Sequence, residues 1–351
     1  MLGVTHAPIF GDFDCRGIYT SLLTAMTAMD TSKPVDVSFV KALPKIELHA
    51  HLSGSISRQC LHELWQQKKA ENPDFDVEDP LVLMPPGKVD YDLKTFFSTF
   101  SKLTYQICND LKGLVYATNS VLQDFLDDGV VYLELRTIPR ASPGITRDEY
   151  INTVLTTIEK FKTKCNRMTV SLILAIDRGS MNAAQADEIV DMAIANKPRG
   201  VVGVDICGNP TKGDVSIYRD AFARAKSSGL GITVHFAETV ASASPVELAT
   251  LLEFMPDRLG HVIHVPDEFK REISRRKLGL ELCISCNVHA KMISGGPVSN
   301  EYLLAALHFD LSREDLLRIC YKATEAIFAG EAEKERIAWM LDVFKVDINM
   351  S

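Results

Sequence analysis

The sequence predicts an α/β fold, a (β/α)8 TIM-type barrel from which the eighth strand segment has been deleted. Three observations carry this reading. Seven short β-branched or aliphatic runs alternate with longer amphipathic stretches, the mark of βα units and a parallel sheet. A polar residue stands at or just past the C-terminal end of nearly every run, the face of a barrel where functional groups from several strands collect. No GxGxxG, P-loop or GxSxG occurs, so the Gly-rich first turn usual in an open doubly wound sheet is missing.

Residues 1–40 stand apart. Met1–Met29 mixes Gly, Thr, Met and Asp without a period, and Thr31–Pro34 is a polar break, so a disordered leader is expected. Met26 and Met29 are alternative starts, which would make it a gene-model extension. The barrel domain is expected over residues 41–348. Its strands are expected at Lys45–Leu52, Val130–Thr137, Thr169–Asp177, Val201–Cys207, Ile232–Ala237, Arg258–His264 and Leu278–Ser285. Two helices are expected within Tyr91–Leu126, in a first crossover long enough to cover one mouth. Single helices are expected at Arg147–Lys164, Ala183–Asn196, Val215–Ser227, Pro245–Phe254 and Asp267–Arg276, and the chain closes with helices at Arg313–Phe328 and Glu333–Phe344.

Composition narrows the function. The 351 residues are 46% hydrophobic and 24% charged, with 38 basic against 46 acidic side chains, a net charge of −8. A net acidic chain without a basic block argues against a general nucleic-acid binder. No apolar run approaches the roughly 20 residues that span a bilayer, and no basic n-region precedes an apolar core, so neither a membrane nor a secreted protein is expected. The eight cysteines are read as reduced, buried thiols of a cytoplasmic or nuclear protein. A monomer is expected.

The strand ends carry, in order, His49 and His51, Arg136, Asp177, Asp205, His235, His261 and Asn287. His49 and His51 are two apart on a strand, so both leave the same face and suit a divalent transition metal, most often zinc. An isolated HxH is more often a core histidine beside an exposed one. Two further strand-end histidines, His235 and His261, are hard to explain by packing and favour a metal site. Cys283 and Cys286 form a lone CxxC, better read as core thiols than as zinc ligands. The HxE…PCxxC pattern of cytidine deaminases is absent.

KIELHAHLSGSI (Lys45–Ile56), HFAE (His235–Glu238), RLGH (Arg258–His261) and ELCISCNV (Glu281–Val288) resemble, in order, the motifs of the adenosine deaminase family, over about Leu43 to Phe344. VVYLELRTIPR (Val130–Arg140) and LILAIDR (Leu172–Arg178) resemble its adenosine deaminase-like branch, which acts on AMP methylated on the exocyclic amine. The resemblance implies one zinc per chain, held by His49, His51 and His235 together with an Asp. It implies attack of an activated water on the purine carbon bearing the amine, with loss of ammonia or methylamine. Glu238 would protonate the adjacent ring nitrogen, and His261 would orient the attacking oxygen. Gly208 matches the glycine that lets backbone lie against the purine, although a strand-end turn glycine would look the same. His51, Thr137, Arg140 and Asp177 resemble substrate-contacting positions, Arg140 being a natural phosphate partner. The substrate implied is a small purine nucleotide or nucleoside.

One part of the pattern breaks. The family's fourth zinc ligand is the first Asp of an Asp-Asp pair on the eighth strand, and none lies between Val288 and Phe309. The chain passes from the seventh strand directly into a helix, and Pro297–Tyr302 resembles the segment that normally follows the missing strand. A segment is therefore expected to be lost at 294–297, through an exon skipped in the gene model or in a genuine inactive isoform. Asp127-Asp128 cannot replace it, because it ends the helix before the second strand. Val262 is a lesser departure, standing where classical enzymes have Gly. Two other functions stay open. A binuclear amidohydrolase would use the same HxH but needs a bridging lysine, which Val201–Gly208 lacks. A non-catalytic purine-nucleotide binder would follow from the missing strand. Metal stoichiometry separates the first from the zinc deaminase, and turnover separates the second.

Overall fold

The computed structural model describes residues 34–85, 102–284 and 297–349. Cys15, Cys286, Asn287, most of the leader and the shortened stretch before Pro297 lie outside these residues. The strands are β1 (Lys45–His51), β2 (Val130–Thr137), β3 (Thr169–Asp177), β4 (Val201–Cys207), β5 (Gly231–Phe236), β6 (Arg258–His261) and β7 (Gly279–Glu281). They pair in parallel, each with the next in sequence, and form a nearly closed TIM-type barrel lacking one strand. Every residue of β2 and seven of the nine in β3 are buried. That explains their unbroken apolar runs, because both faces of a parallel sheet are covered.

β2, β3 and β4 fall on the expected residues, and the other four strands differ for local reasons. β1 stops at His51 and carries a register shift between Glu47 and Ala50. Such a bulge re-aims side chains next to a site. β5 ends at Phe236 because Ala237 takes φ +50, and β6 ends at His261 instead of His264 because His261 and Val262 take φ +66 and +57. That left-handed backbone favours glycine and cannot continue a strand. β7 shrinks to three residues and, among the described residues, pairs with β6 alone. With no strand on its far side among the described residues, Leu280 and Leu282 are 49% and 59% exposed.

The first crossover holds helices at Arg58–Glu71, Pro80–Leu83, Lys102–Ile107 and Leu111–Asp127. The helix Val37–Ala42 straddles the boundary expected at residue 40, and its Phe39 and Val40 are buried. They form a second apolar cluster with residues of the helices Arg313–Ala326 and Glu331–Asn349, the rings of Phe39 and Phe344 lying 5.8 Å apart. Asp128 does not reach the barrel mouth. Its carboxylate accepts from the backbone N–H and hydroxyl of Ser299 at 2.8 and 2.7 Å, anchoring the helix Val298–Phe309.

The barrel floor is closed by an aromatic ring and an ion pair. Phe328 lies against the facing glycines Gly203 and Gly231, its ring under the guanidinium of Arg258 at 3.6 Å. Arg258 pairs with Glu134 and donates to Glu281 at 2.7 Å. The six described cysteines form no disulfide among themselves. Only Cys60, Cys207 and Cys320 are fully buried, so the expectation of uniformly buried thiols is corrected for Cys108, Cys165 and Cys283. Those three lie at helix and strand ends, where cover from neighbouring elements runs out. No described helix is long and apolar enough to cross a membrane.

Candidate metal centre

The strand pattern brings four histidines together at one mouth of the barrel. His49 and His51 come from β1, His235 from β5 and His261 from β6. The His49 ring lies 4.7 to 5.3 Å, centroid to centroid, from the other three. His51 Nε2 and His235 Nε2 face each other at 3.1 Å. Two overlapping sets, His49 with His235 and His261, and His51 with Asp205 and His235, place their ligand atoms within 4.8 Å of one another.

What stands behind the rings decides which nitrogen faces inward. Glu281 Oε2 accepts from His49 Nδ1–H at 2.6 Å, and Asp205 Oδ1 accepts from His235 Nδ1–H at 3.2 Å. A ring N–H given to a carboxylate is the usual support of a metal-ligating imidazole. Burial, and then the charge of Arg136, lower His49 to about 4. Burial, with neighbouring imidazoles, holds His51 and His261 well below the ordinary range. A shift in that direction favours the neutral ring, the form that binds metal. His235 behaves oppositely. Burial pushes it down, but the Asp205 carboxylate and its hydrogen bond outweigh that and raise it. Two ring nitrogens facing each other at 3.1 Å need a proton or a cation between them, and a divalent cation would serve in that place. His261 Nδ1 is buried without a hydrogen-bond partner among the described residues. The residues therefore fit a metal ion.

Glu238 lies beside this cluster, Oε1 3.7 Å from His261 Nε2, and burial raises its carboxyl above the ordinary range. Thr137 and Arg140 form a second group, held by tyrosines. Thr137 Oγ1 pairs with Tyr150 Oη at 2.7 Å, and the Arg140 guanidinium lies 3.6 Å over the Tyr105 ring. Asp177 turns back on its own loop, accepting from Gly179 N–H at 3.0 Å and Ser180 Oγ at 2.7 Å. Gly208 takes φ +101, and a Cβ there would stand 2.2 Å from Asp177 Oδ1. Its glycine is required by close approach to Asp177. Arg136 and Asp205 stand out in the sequence as strand-end polar residues, but nothing there assigns them the histidines as partners. Glu281 carries no such mark, since its partner His49 lies 232 residues away.

Fold and site together define a TIM-type barrel protein whose histidine-rich mouth can take a metal. The family model for adenosine deaminase matches residues 44–294, and the chain belongs to the adenosine deaminase family. An adenosine deaminase-like protein of Drosophila pseudoobscura pseudoobscura is 30% identical over 330 residues, covering 86% of this chain and 95% of that one. That aligned length exceeds the part of this chain it takes in, so the relative carries residues with no counterpart here. The crystal structure of an Arabidopsis N6-mAMP deaminase superposes with a TM-score of 0.79 at 29% identity, over 87% of this chain and 99% of that one. Arabidopsis ADAL complexed with IMP gives 0.74 at 28%, over 87% and 98%.

Proposed function

We propose that this barrel is built for hydrolytic deamination of a 6-aminopurine nucleotide in purine salvage, with N6-methyl-AMP, giving IMP and methylamine, as the favoured substrate and adenosine, giving inosine, as the alternative. The supporting observation is the cluster of carboxylate-backed histidines beside a half-buried Glu238 whose carboxyl is raised above its ordinary range by desolvation. The solved relative that carries IMP supports the nucleotide.

The proposed cofactor is one zinc ion, held by His49, His51 and His235. When bound, it supplies the Lewis acidity that makes water nucleophilic at neutral pH. Glu238, whose carboxyl is raised by desolvation as an acid role requires, gives its proton to the ring nitrogen beside the reacting carbon, making that carbon electrophilic. His261 orients the attacking water and stabilises the charge that develops on it. Arg140, with its face on Tyr105, offers its edge to the phosphate. Thr137, Asp177 and His51 contact the nucleotide, and the backbone at Gly208 lies along the purine. A place in the cytoplasm or nucleus and a monomeric state belong to the same proposal.

The chain as it stands is proposed to turn over little or no substrate. Three histidines still hold a metal, but the Asp that completes the zinc site also positions the attacking water, and its neighbour binds the purine. Positioning of this kind supplies several kcal/mol of barrier lowering. The exposed edge of β7 favours aggregation over a stable open barrel, so a low soluble yield is expected of this chain. The test compares this chain with one in which the relatives' Asp-Asp segment is inserted before Pro297. The inserted form should contain one zinc per chain and release methylamine from N6-methyl-AMP. Its His49→Ala and His235→Ala variants should lose both metal and turnover. Full zinc occupancy in either variant, by elemental analysis, overturns the site. Ordinary turnover by the uninserted chain overturns the proposal of inactivity. Metal and IMP binding without turnover in both forms would establish the non-catalytic reading, which the missing strand favours.

A further inference from the structure

Three fully buried charged groups lie directly behind the histidines. Arg136, paired with His51 in the β1–β2 register, donates Nη1–H to Asp205 Oδ2 at 3.1 Å. It donates Nη2–H to Glu281 Oε2 at 2.7 Å and to the Leu48 carbonyl, in the bulge of β1, at 2.5 Å. The other oxygen of Asp205 receives His235 Nδ1–H, and Oε2 of Glu281 also receives His49 Nδ1–H. One guanidinium thus holds two carboxylates from β4 and β7. Each carboxylate holds one histidine, on β5 and β1.

We propose that Arg136, Asp205 and Glu281 are positioning residues for the metal. The arginine fixes the two carboxylates, and these fix the tautomer and rotation of His49 and His235 so that both Nε2 atoms face the ligand position. This inference rests on the metal reading above and adds the groups that make the site rigid. The planar fork of arginine is what lets a single side chain serve two carboxylates and a backbone carbonyl at once. A carboxylate behind a ligating imidazole contributes 10–100-fold in metal affinity. The barrel contains its own control. Glu134 is equally buried and pairs with Arg258, but its hydrogen bonds go to Tyr132, Arg258 and the Phe328 N–H, none of them a histidine.

The test uses the full 351-residue chain and zinc alone, read by competition with a chromophoric chelator, with circular dichroism and thermal melting run in parallel. Asp205→Asn and Glu281→Gln should each bind zinc about 10–100-fold more weakly at unchanged stoichiometry. Cobalt substituted into them should show shifted visible bands. Glu134→Gln should melt lower yet keep zinc affinity within about twofold, because it touches no ligand. If Asp205→Asn and Glu281→Gln bind zinc like the parent while melting lower, the network is only structural and the inference falls, with the metal reading intact. If the parent binds no zinc, both fall. Where the variants do not fold, 15N-histidine spectra of the zinc-loaded parent decide. His49 and His235 protonated at Nδ1 and ligated through Nε2 support the inference, and ligation through Nδ1 at either overturns it.

Discussion

Replacing Gly231 by Ala perturbs the barrel floor at a point where the cost can be worked from distances. The added methyl would stand 2.4 Å from Phe328 Cγ and 2.5 Å from both Cδ atoms. Carbon–carbon contact is favourable at about 3.5–4.0 Å, so three ring atoms fall short by roughly 1 Å. The ring cannot retreat. Arg258 covers its face at 3.6 Å, the Phe328 N–H is bound to Glu134 at 2.6 Å, and a methyl on Gly203 would meet the same ring at 2.8 Å. The clash belongs at the upper end of overpacking costs, about 3 kcal/mol. Removing a strand glycine returns up to about 1 kcal/mol, which leaves a net loss near 2 kcal/mol. The assay is urea unfolding of Gly231→Ala, Phe328→Leu and the double variant. Phe328→Leu makes room for the methyl, so the double variant should be at least about 1 kcal/mol more stable than the sum of the single losses predicts. Additivity within about 0.5 kcal/mol would refute the assigned contact.

Other outcomes follow from the mouth of the barrel. In the form with the Asp-Asp segment inserted, Glu238→Gln should keep zinc and nucleotide yet lose about 10²–10⁴-fold in kcat; a loss below tenfold removes Glu238 from the acid role. In the same form, Arg140→Ala should raise KM for the monophosphate by about tenfold or more and leave the nucleoside unaffected, as expected for a charge-assisted phosphate contact. Equal effects on both substrates would contradict the phosphate contact. For Asp205 and Glu281, burial alone would raise the carboxyl values, but the histidine and arginine charges outweigh it and hold both low. The unfolded chain therefore takes up protons first as pH falls, so stability present above the ordinary carboxylate range near 4 should be lost progressively below it. Urea midpoints between pH 6 and pH 3 measure this, Glu281→Gln should show a shallower decline, and a flat parent profile would contradict the assignment.

The barrel was legible because its alternation is coarse and its strand ends are chemically marked. Val130–Thr137 and Thr169–Asp177 read correctly to the residue, since strands buried on both faces need unbroken apolar runs. Strand ends set by backbone conformation did not read. Nothing in RLGHVIH announces that His261 and Val262 turn left-handed, a geometry that tertiary contacts impose on non-glycine residues. The histidines were visible because four of them recur at strand ends. Their carboxylate partners were hidden, because Glu281 finds His49 only once β7 has come round to face β1. Asp205 differs again, since it is prominent in VVGVDIC but its partner is set by the side-by-side packing of β4 and β5.

The seam between β7 and β1 is crossed by a side chain. Glu281 reaches from the last residue of β7 to His49 on β1 and Arg136 on β2, without any backbone pairing between the first and seventh strands. The groups that would capture a metal are thereby tied together through strands this chain retains. Loss of the eighth strand leaves each of these residues with its support, so metal capture and the proposed turnover can be lost separately.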